Sequence, residues 1–218
     1  MPFRDRRDAG RQLAAALAHY RAKHAVVLAL PRGGVPVAAE IATMLNAPLD
    51  LVLVRKIGVP YQPELAMGAV ADAGEPLVVR NDEVIALAGI EESEFMAVRD
   101  SELAEIERRR KRYLGQRQRA DVAGRVAIVV DDGIATGATT RAALRATRLR
   151  KPRELVLAVP VAPTEALAAM REEADHVVCL EDYESFGAIG LYYSDFRQIS
   201  DREVIEILGR FPAVAYSD

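Results

Sequence analysis

Two adjacent carboxylates, Asp131 and Asp132, follow directly on an apolar run, Val126 to Val130. A segment of small residues, Gly133 to Thr139, comes next, and a helical pattern of apolar residues begins after it. Carboxylates at the end of a strand can accept hydrogen bonds from vicinal sugar hydroxyls. Free backbone N–H groups at the start of a helix attract phosphate. The spacing therefore predicts a receptor for a sugar phosphate between strand and helix.

Two further groups of residues follow predicted strands. Arg32, Gly33 and Gly34 come after the first strand, and Arg55 and Lys56 come directly after the second. Ligands of parallel sheets bind at the carboxyl ends of the strands. We therefore expect both groups to lie on the same rim as the acidic segment.

Short apolar runs alternate with amphipathic patterns along the chain, which indicates helices between parallel strands. Strands are predicted at 25–30, 49–54, 126–130, 155–161 and 176–180, and helices at 8–23, 36–45, 164–173 and 201–210, the last with Asp201 as its N-cap. The expected fold class is α/β, a three-layer, mostly parallel sheet, with a mobile loop and helical insertion and a small hood.

The length of 218 residues favours one domain, 1–218. Residues 57–120 are predicted to be an inserted flexible loop and helical region. The loop part, Ile57 to Ala73, has short strands near 65–71 and 76–79, and residues 82–119 are helical. Residues 181–218 are predicted to form the hood, a segment that covers the ligand site, and the C-terminal segment.

Composition limits the classes of partner. The net charge of −3 gives no basic field for nucleic acid, and no apolar run reaches the roughly 20 residues that span a bilayer. The single cysteine, Cys179, lies in an apolar strand, and the basic run Arg108 to Arg112 has the pattern of a solvated helix end. The three histidines share no metal-ligand spacing. We expect a cytoplasmic protein that binds neither membranes nor nucleic acids.

The segment Val129 to Thr139, with its strand, two acids and Ala-Thr-Gly-Ala-Thr loop, resembles the phosphoribosyl pyrophosphate (PRPP) motif of the type I phosphoribosyltransferases. Leu30 to Pro36 looks like the pyrophosphate loop of that family, and Arg55-Lys56 like its second basic contact. The whole chain is similar to a group of bacterial phosphoribosyltransferases of unknown acceptor.

The resemblance implies roles for individual residues. The 2′- and 3′-hydroxyls of ribose would bind Asp131 and Asp132, and the 5′-phosphate would bind the loop. Catalytic residues would be Asp131, Asp132, Arg32 and Lys56, and PRPP would contact Arg32, Gly33, Gly34, Arg55, Lys56, Asp131, Asp132, Ala135, Thr136, Gly137, Ala138 and Thr139. Mg²⁺ would arrive with the pyrophosphate and not in a protein cage. A strained non-proline peptide is expected at Arg32–Gly33.

The acceptor site is less defined. Transferases for 6-oxopurines carry Asp where this chain has Ala135, so such an acceptor is disfavoured. Glu64 is a candidate base or lid contact, or else an exposed loop residue. Phe186, Tyr192 and Tyr193 are candidates to form a hood that stacks an acceptor base, with Asp195 reading its edge. The alternative is that these aromatic residues close the core under the last helix.

The leading hypothesis is an enzyme that transfers ribose 5-phosphate from Mg–PRPP to a nitrogenous base and releases pyrophosphate. The alternative is a non-catalytic regulatory protein that senses PRPP or a nucleotide. The sequence leaves the oligomeric state open, with a homodimer as the assembly common among similar proteins.

Overall fold

The computed structural model describes residues 2–72 and 76–211. The strands in these ranges are β1 (Ala25–Ala29), β2 (Leu49–Leu51), β3 (Val54–Val59), β4 (Gln62–Asp72), β5 (Pro76–Arg80), β6 (Val126–Val130), β7 (Glu154–Pro163) and β8 (His176–Tyr183). The helices are α1 (Arg6–Ala16), α2 (Gly34–Leu45), α3 (Asp82–Leu87), α4 (Glu92–Leu114), α5 (Ala138–Leu149), α6 (Thr164–Met170) and α7 (Asp201–Leu208). Residues 73–75 of the predicted insertion and 212–218 of the predicted C-terminal segment lie outside the described residues.

The centre of the fold is a parallel sheet in the order β2-β1-β6-β7-β8. Every residue of β1 and β6 is buried, because their apolar side chains point alternately to two cores. Val27 and Ile128 lie in one core with α2, whereas Leu28 and Val129 lie in the other with α5. This arrangement confirms the predicted α/β fold with helices on both faces of a mostly parallel sheet.

Strands β3, β4 and β5 form a second, antiparallel sheet where a mobile loop with short strands near 65–71 and 76–79 was predicted, and β4 and β5 contain those two predicted strands. Its glycine and proline residues suggested interruptions, but they allow a close hairpin. A β carbon at Gly58 would lie 2.5 Å from the Pro63 carbonyl oxygen. Ile57 and Met67 are fully buried and attach this sheet to the main core.

The end of the first helix and the cap of the last differ from the prediction. α1 ends at Ala16, so it is shorter than the predicted 8–23 helix. The N-cap of α7 is Ser200, not Asp201: the Ser200 hydroxyl accepts a hydrogen bond from the Glu203 N–H, and the Glu203 carboxylate accepts one from the Ser200 N–H. This capping box leaves the Asp201 carboxylate available for other contacts.

Helices with the length and apolarity to cross a bilayer do not occur in the described ranges. The Cys179 side chain is partly buried in β8, and burial raises the pKa of its thiol to about 11. A thiol with this pKa carries little thiolate at neutral pH, which agrees with the structural role expected from the sequence.

Candidate functional site

The pairing of β1 with β6 brings two predicted site segments together. Ala29 is in register with Val130, and the Leu30 N–H donates to the Val130 carbonyl oxygen at 2.9 Å. The turn after β1 then rests on the acidic residues after β6. A β carbon at Gly33 would lie only 2.0 Å from Oδ2 of Asp132. Glycine is therefore required at position 33 to make room for the carboxylate.

Only some of the backbone N–H groups of this turn are free to bind an anion, which differs in part from the prediction. The Gly34 N–H donates to the Leu30 carbonyl oxygen at 3.0 Å, so it is not free to bind pyrophosphate as expected. Instead, glycine at position 34 lets the turn lie close to the end of β6, since a β carbon there would lie 2.6 Å from the Val130 carbonyl oxygen. The Arg32 and Gly33 N–H groups have no acceptor among the described residues. The unusual peptide is the cis bond Pro31–Arg32, one bond earlier than predicted.

The loop between β6 and α5 has the geometry of an anion site. Gly137 adopts a left-handed conformation, with φ of 77°, directly before the first residue of α5. Within the described part of the chain, the N–H groups of residues 135–140 donate no hydrogen bond to a protein acceptor. The Thr136 and Thr139 side chains are exposed beside them. These donors can bind a phosphate at the helix start.

Asp132 is held by an arginine that sequence analysis missed. Arg6 Nε lies 2.7 Å from Asp132 Oδ2, and the two side chains are only 9% and 12% exposed. The Arg6 guanidinium also stacks on the Phe196 ring at 3.8 Å and donates to the Arg197 carbonyl oxygen. Arg6 lies 126 residues before Asp132 in a charged N-terminal segment, and no local pattern links the two.

The main chain of the acidic pair is held by the hood segment. The buried Tyr193 hydroxyl donates to the Asp132 carbonyl oxygen at 2.6 Å. The Ile189 side chain covers Gly133, where a β carbon would lie 2.6 Å from Ile189 Cγ2. The hood and the acidic loop therefore form one packed unit.

Asp131 lies in a different environment from its neighbour. Burial raises the pKa of the Asp131 carboxyl group well above its usual value, and the Asp132 charge raises it further. No Lys, Arg or His of the described ranges forms an ion pair with Asp131, and its carboxylate accepts a hydrogen bond from the Asp132 N–H at 2.9 Å. Of the two acids, Asp131 is thus the one whose carboxyl group has no cationic partner in the described ranges.

Each predicted pyrophosphate cation contacts a carboxylate of another segment. Arg32 Nη1 lies 3.5 Å from Asp201 Oδ1, at the start of α7. Arg55 Nε lies 2.6 Å from Glu102 Oε2 on α4. The cations are therefore already placed opposite negative charge.

Lys56 and Glu64 face each other across the β3–β4 hairpin. Lys56 Nζ lies 3.2 Å from Glu64 Oε2, and the Glu64 side chain is 95% exposed. A groove of 400 Å³ between this hairpin and α4 is lined by Arg55, Lys56, Glu64 and Glu102. The structure thus places Glu64 beside a predicted pyrophosphate residue.

The predicted acceptor residues fall into two groups. Tyr192 stacks on Phe186 at 4.9 Å between ring centroids, and on Tyr183 at 4.7 Å. These three partly buried rings pack against the buried Phe3 and Tyr193 cluster. The exposed Asp195 carboxylate accepts a hydrogen bond from the Arg197 N–H. Phe186 and Tyr192 are therefore brought together, and Asp195 is engaged in its own turn.

Clusters of three or more His, Cys, Asp or Glu side chains with metal-binding geometry do not occur in residues 2–72 and 76–211. In this part of the chain, the site offers single carboxylates and rows of N–H donors. Such an arrangement suits a ligand that brings its own anionic oxygens.

Comparisons with known proteins agree with this geometry. The model of the phosphoribosyl transferase domain family matches residues 5–197. Two Mycobacterium tuberculosis proteins, MT0597 and Rv0571c, both named "Putative phosphoribosyl transferase", are 48% identical over 208 residues, or 95% of this chain. The chain spans 46% of the length of these relatives.

A solved structure shows the same fold at close similarity. The crystal structure of TT1426 from Thermus thermophilus superposes with a TM-score of 0.83 and 43% sequence identity. The match covers 97% of this chain and 99% of the other. The family model and these relatives match this chain, and the site segments meet where β1 and β6 end. The chain therefore belongs to the phosphoribosyl transferase domain family.

Proposed function

We propose that this protein transfers ribose 5-phosphate from Mg–PRPP to a nitrogenous base and releases pyrophosphate. The observation that carries this proposal is the row of free N–H groups at residues 135–140, next to the Asp131 side chain, which has no cationic partner in the described ranges. The Arg32 turn lies on the neighbouring strand end. A phosphate, a ribose and a pyrophosphate can then bind side by side along one rim.

Different residues bind different groups of the donor, PRPP. Residues 135–140 and the Thr136 and Thr139 hydroxyls bind the 5′-phosphate, and Asp131 accepts hydrogen bonds from the ribose hydroxyls. Asp132 is paired with Arg6, so we assign it mainly to holding the rim in shape. Positive charge builds up on the ring while the bond from C1′ to the pyrophosphate oxygen breaks and the bond to the acceptor nitrogen forms. The nearby carboxylate stabilises that charge.

Arg32, Arg55 and Lys56 bind the pyrophosphate as it leaves. Each of these side chains already contacts a carboxylate, which supports this role, and a pyrophosphate offers several oxygens with more negative charge. Mg²⁺ fits a site with one carboxyl group that lacks a cationic partner when the pyrophosphate and water supply most of its ligands. When bound, the cation neutralises charge on the leaving group.

The acceptor binds on the hood side. Phe186 and Tyr192 present stacked rings near the segment that covers Gly133, and a planar base can extend that stack. Ala135 offers no side chain that could remove a proton from the acceptor. Glu64 and Asp195 remain the proposed polar acceptor contacts, and a base-bound structure would test both.

The experiment combines PRPP, Mg²⁺ and a panel of nucleobases with wild type and Asp131→Asn, and measures released pyrophosphate. Base-dependent release by wild type and its loss in Asp131→Asn would support the proposal. Binding of PRPP without turnover of any base would refute the enzyme hypothesis and favour the PRPP-sensing alternative. Normal turnover by Asp131→Asn would overturn the assignment of the ribose contact.

A further inference from the structure

The basic run at the end of α4 contacts the start of α7. Arg112 Nε lies 3.0 Å from Asp201 Oδ2, and the Tyr113 hydroxyl donates to Asp201 Oδ1 at 2.7 Å. The same carboxylate faces Arg32 of the turn after β1 at 3.5 Å. Asp201 thus joins Arg112, which the sequence placed on a solvated helix end, to Arg32, which it assigned to pyrophosphate.

This region carries an excess of positive charge. The Tyr113 hydrogen bond lowers the pKa of Asp201, and the charges of Arg112, Arg32 and Arg109 lower it further. Arg109 shares a second carboxylate, Glu105, with Arg108. Four guanidinium groups therefore surround two carboxylates, which leaves a net charge of about +2 beside the turn after β1.

One face of α4 lies along both predicted pyrophosphate elements. Glu102, Arg109 and Arg112 are spaced seven and three residues apart, so they share a helix face. Glu102 pairs with Arg55, and Arg112 reaches the Asp201 carboxylate that also contacts Arg32. The side chain of Arg112 is 51% exposed, so an anion can approach it from solvent.

We propose that Arg112 is a further pyrophosphate-binding residue, and that the Asp201 carboxylate holds Arg112 and Arg32 in place until the anion arrives. This inference rests on the proposed function, because it assumes that pyrophosphate binds at the turn after β1. Guanidinium groups bind phosphate oxygens through paired, charge-assisted hydrogen bonds. A pyrophosphate therefore competes with Asp201 for both arginines, while Asp201 keeps the hydrogen bond from Tyr113.

The specific consequence is a selective effect on ligands. Arg112 lies on the Arg32 side of the rim, so it should contribute to the binding of pyrophosphate and of PRPP. It should contribute nothing to ribose 5-phosphate, which lacks the pyrophosphate group. A merely structural role of Arg112 would change the affinities of all three ligands together.

Isothermal titration calorimetry with Mg²⁺–pyrophosphate, PRPP and ribose 5-phosphate tests the proposal on wild type and Arg112→Gln. We expect Arg112→Gln to weaken pyrophosphate binding about tenfold and to leave ribose 5-phosphate binding unchanged. The matched control is Arg110→Gln, because Arg110 belongs to the same helix but pairs with Glu107. This control should bind all three ligands as wild type does.

A second variant tests the competition. Asp201→Asn retains a group that can accept the Tyr113 hydrogen bond but removes the competing charge, so pyrophosphate should bind about threefold more tightly.

Equal pyrophosphate affinity in wild type and Arg112→Gln would overturn the inference. If wild type binds pyrophosphate selectively through Arg112 but turns over no base, the inference stands and the proposed transfer reaction fails. If wild type binds no pyrophosphate, both are refuted.

Discussion

The ion pair between Arg6 and Asp132 makes a prediction about stability. Arg6→Met keeps most of the side-chain volume but leaves the Asp132 carboxylate without its cation. Both side chains are about nine-tenths buried, and the N–O distance is 2.7 Å. Removal of one partner from a buried pair costs about 3–5 kcal/mol, because the remaining charge is uncompensated. At about 2–4 °C per kcal/mol for a chain of this size, the melting temperature should fall by about 6–20 °C.

The assays are urea unfolding for the free energy and thermal unfolding for the melting temperature, both at neutral pH and monitored by far-UV circular dichroism, in a double-mutant cycle. Asp132→Asn and the double variant Arg6→Met/Asp132→Asn complete the cycle. The double variant should recover most of the lost stability, since it leaves no unpaired charge. Arg7→Met is the matched control: Arg7 is the exposed neighbour of Arg6, and its removal should change stability by about 0.5 kcal/mol at most.

Two results would refute this reasoning. One is a loss of stability in Arg6→Met no larger than that in Arg7→Met. The other is a double variant whose loss equals the sum of its single variants, which would show that the two residues do not interact. Either result would also remove the basis for assigning Asp132 to the shape of the rim.

Three further predictions concern the same rim. Burial raises the pKa of the Asp131 carboxyl group, so the folded protein binds a proton that the unfolded chain releases, and wild-type stability falls as the pH rises above the ordinary pKa of 3.8. In thermal melts at neutral pH, Asp131→Asn should therefore be more stable than wild type. The difference in melting temperature should vanish as the pH nears 3.8. Gly33→Ala forces a β carbon against Asp132 and should cost about 1–3 kcal/mol in urea unfolding, whereas additive losses in Gly33→Ala/Asp132→Ala would contradict the contact. Tyr193→Phe leaves a buried carbonyl oxygen without its donor and should cost about 1–3 kcal/mol by the same measurement; unchanged stability would show that the bond contributes nothing.

The central part of the fold could be predicted because its signals are local. Val126 to Val130 is apolar on both faces, two acids end the strand, and Gly137 precedes a helix. Each of these features is set by neighbouring residues. The meeting of the Arg32 turn with the acidic pair also followed from a general rule about parallel sheets.

The remaining features depend on contacts between residues far apart in sequence. Nothing near Arg6 indicates Asp132, and nothing near Arg112 indicates Asp201. Strand β3 was not predicted, because glycine and proline residues around Gly58 act as breaks in one context and as close-packing positions in another. Asp201 was predicted as the N-cap in place of Ser200 because aspartate and serine are about equally good capping residues, so residue type alone does not separate two neighbours. The bound Mg²⁺ and the homodimer stay predictions.

The neighbouring strands β1 and β6 are separated by about 100 residues of chain. The entropy of closing such a long connection grows only with the logarithm of its length, and doubling it costs about 0.6 kcal/mol. The intervening hairpin sheet and α4 can therefore be lengthened, shortened or exchanged at little entropic expense. The register of Ala29 with Val130 has no such freedom, because a slip of one residue would send every β6 side chain into the opposite core. Engineering of this scaffold should keep that register and vary the connection.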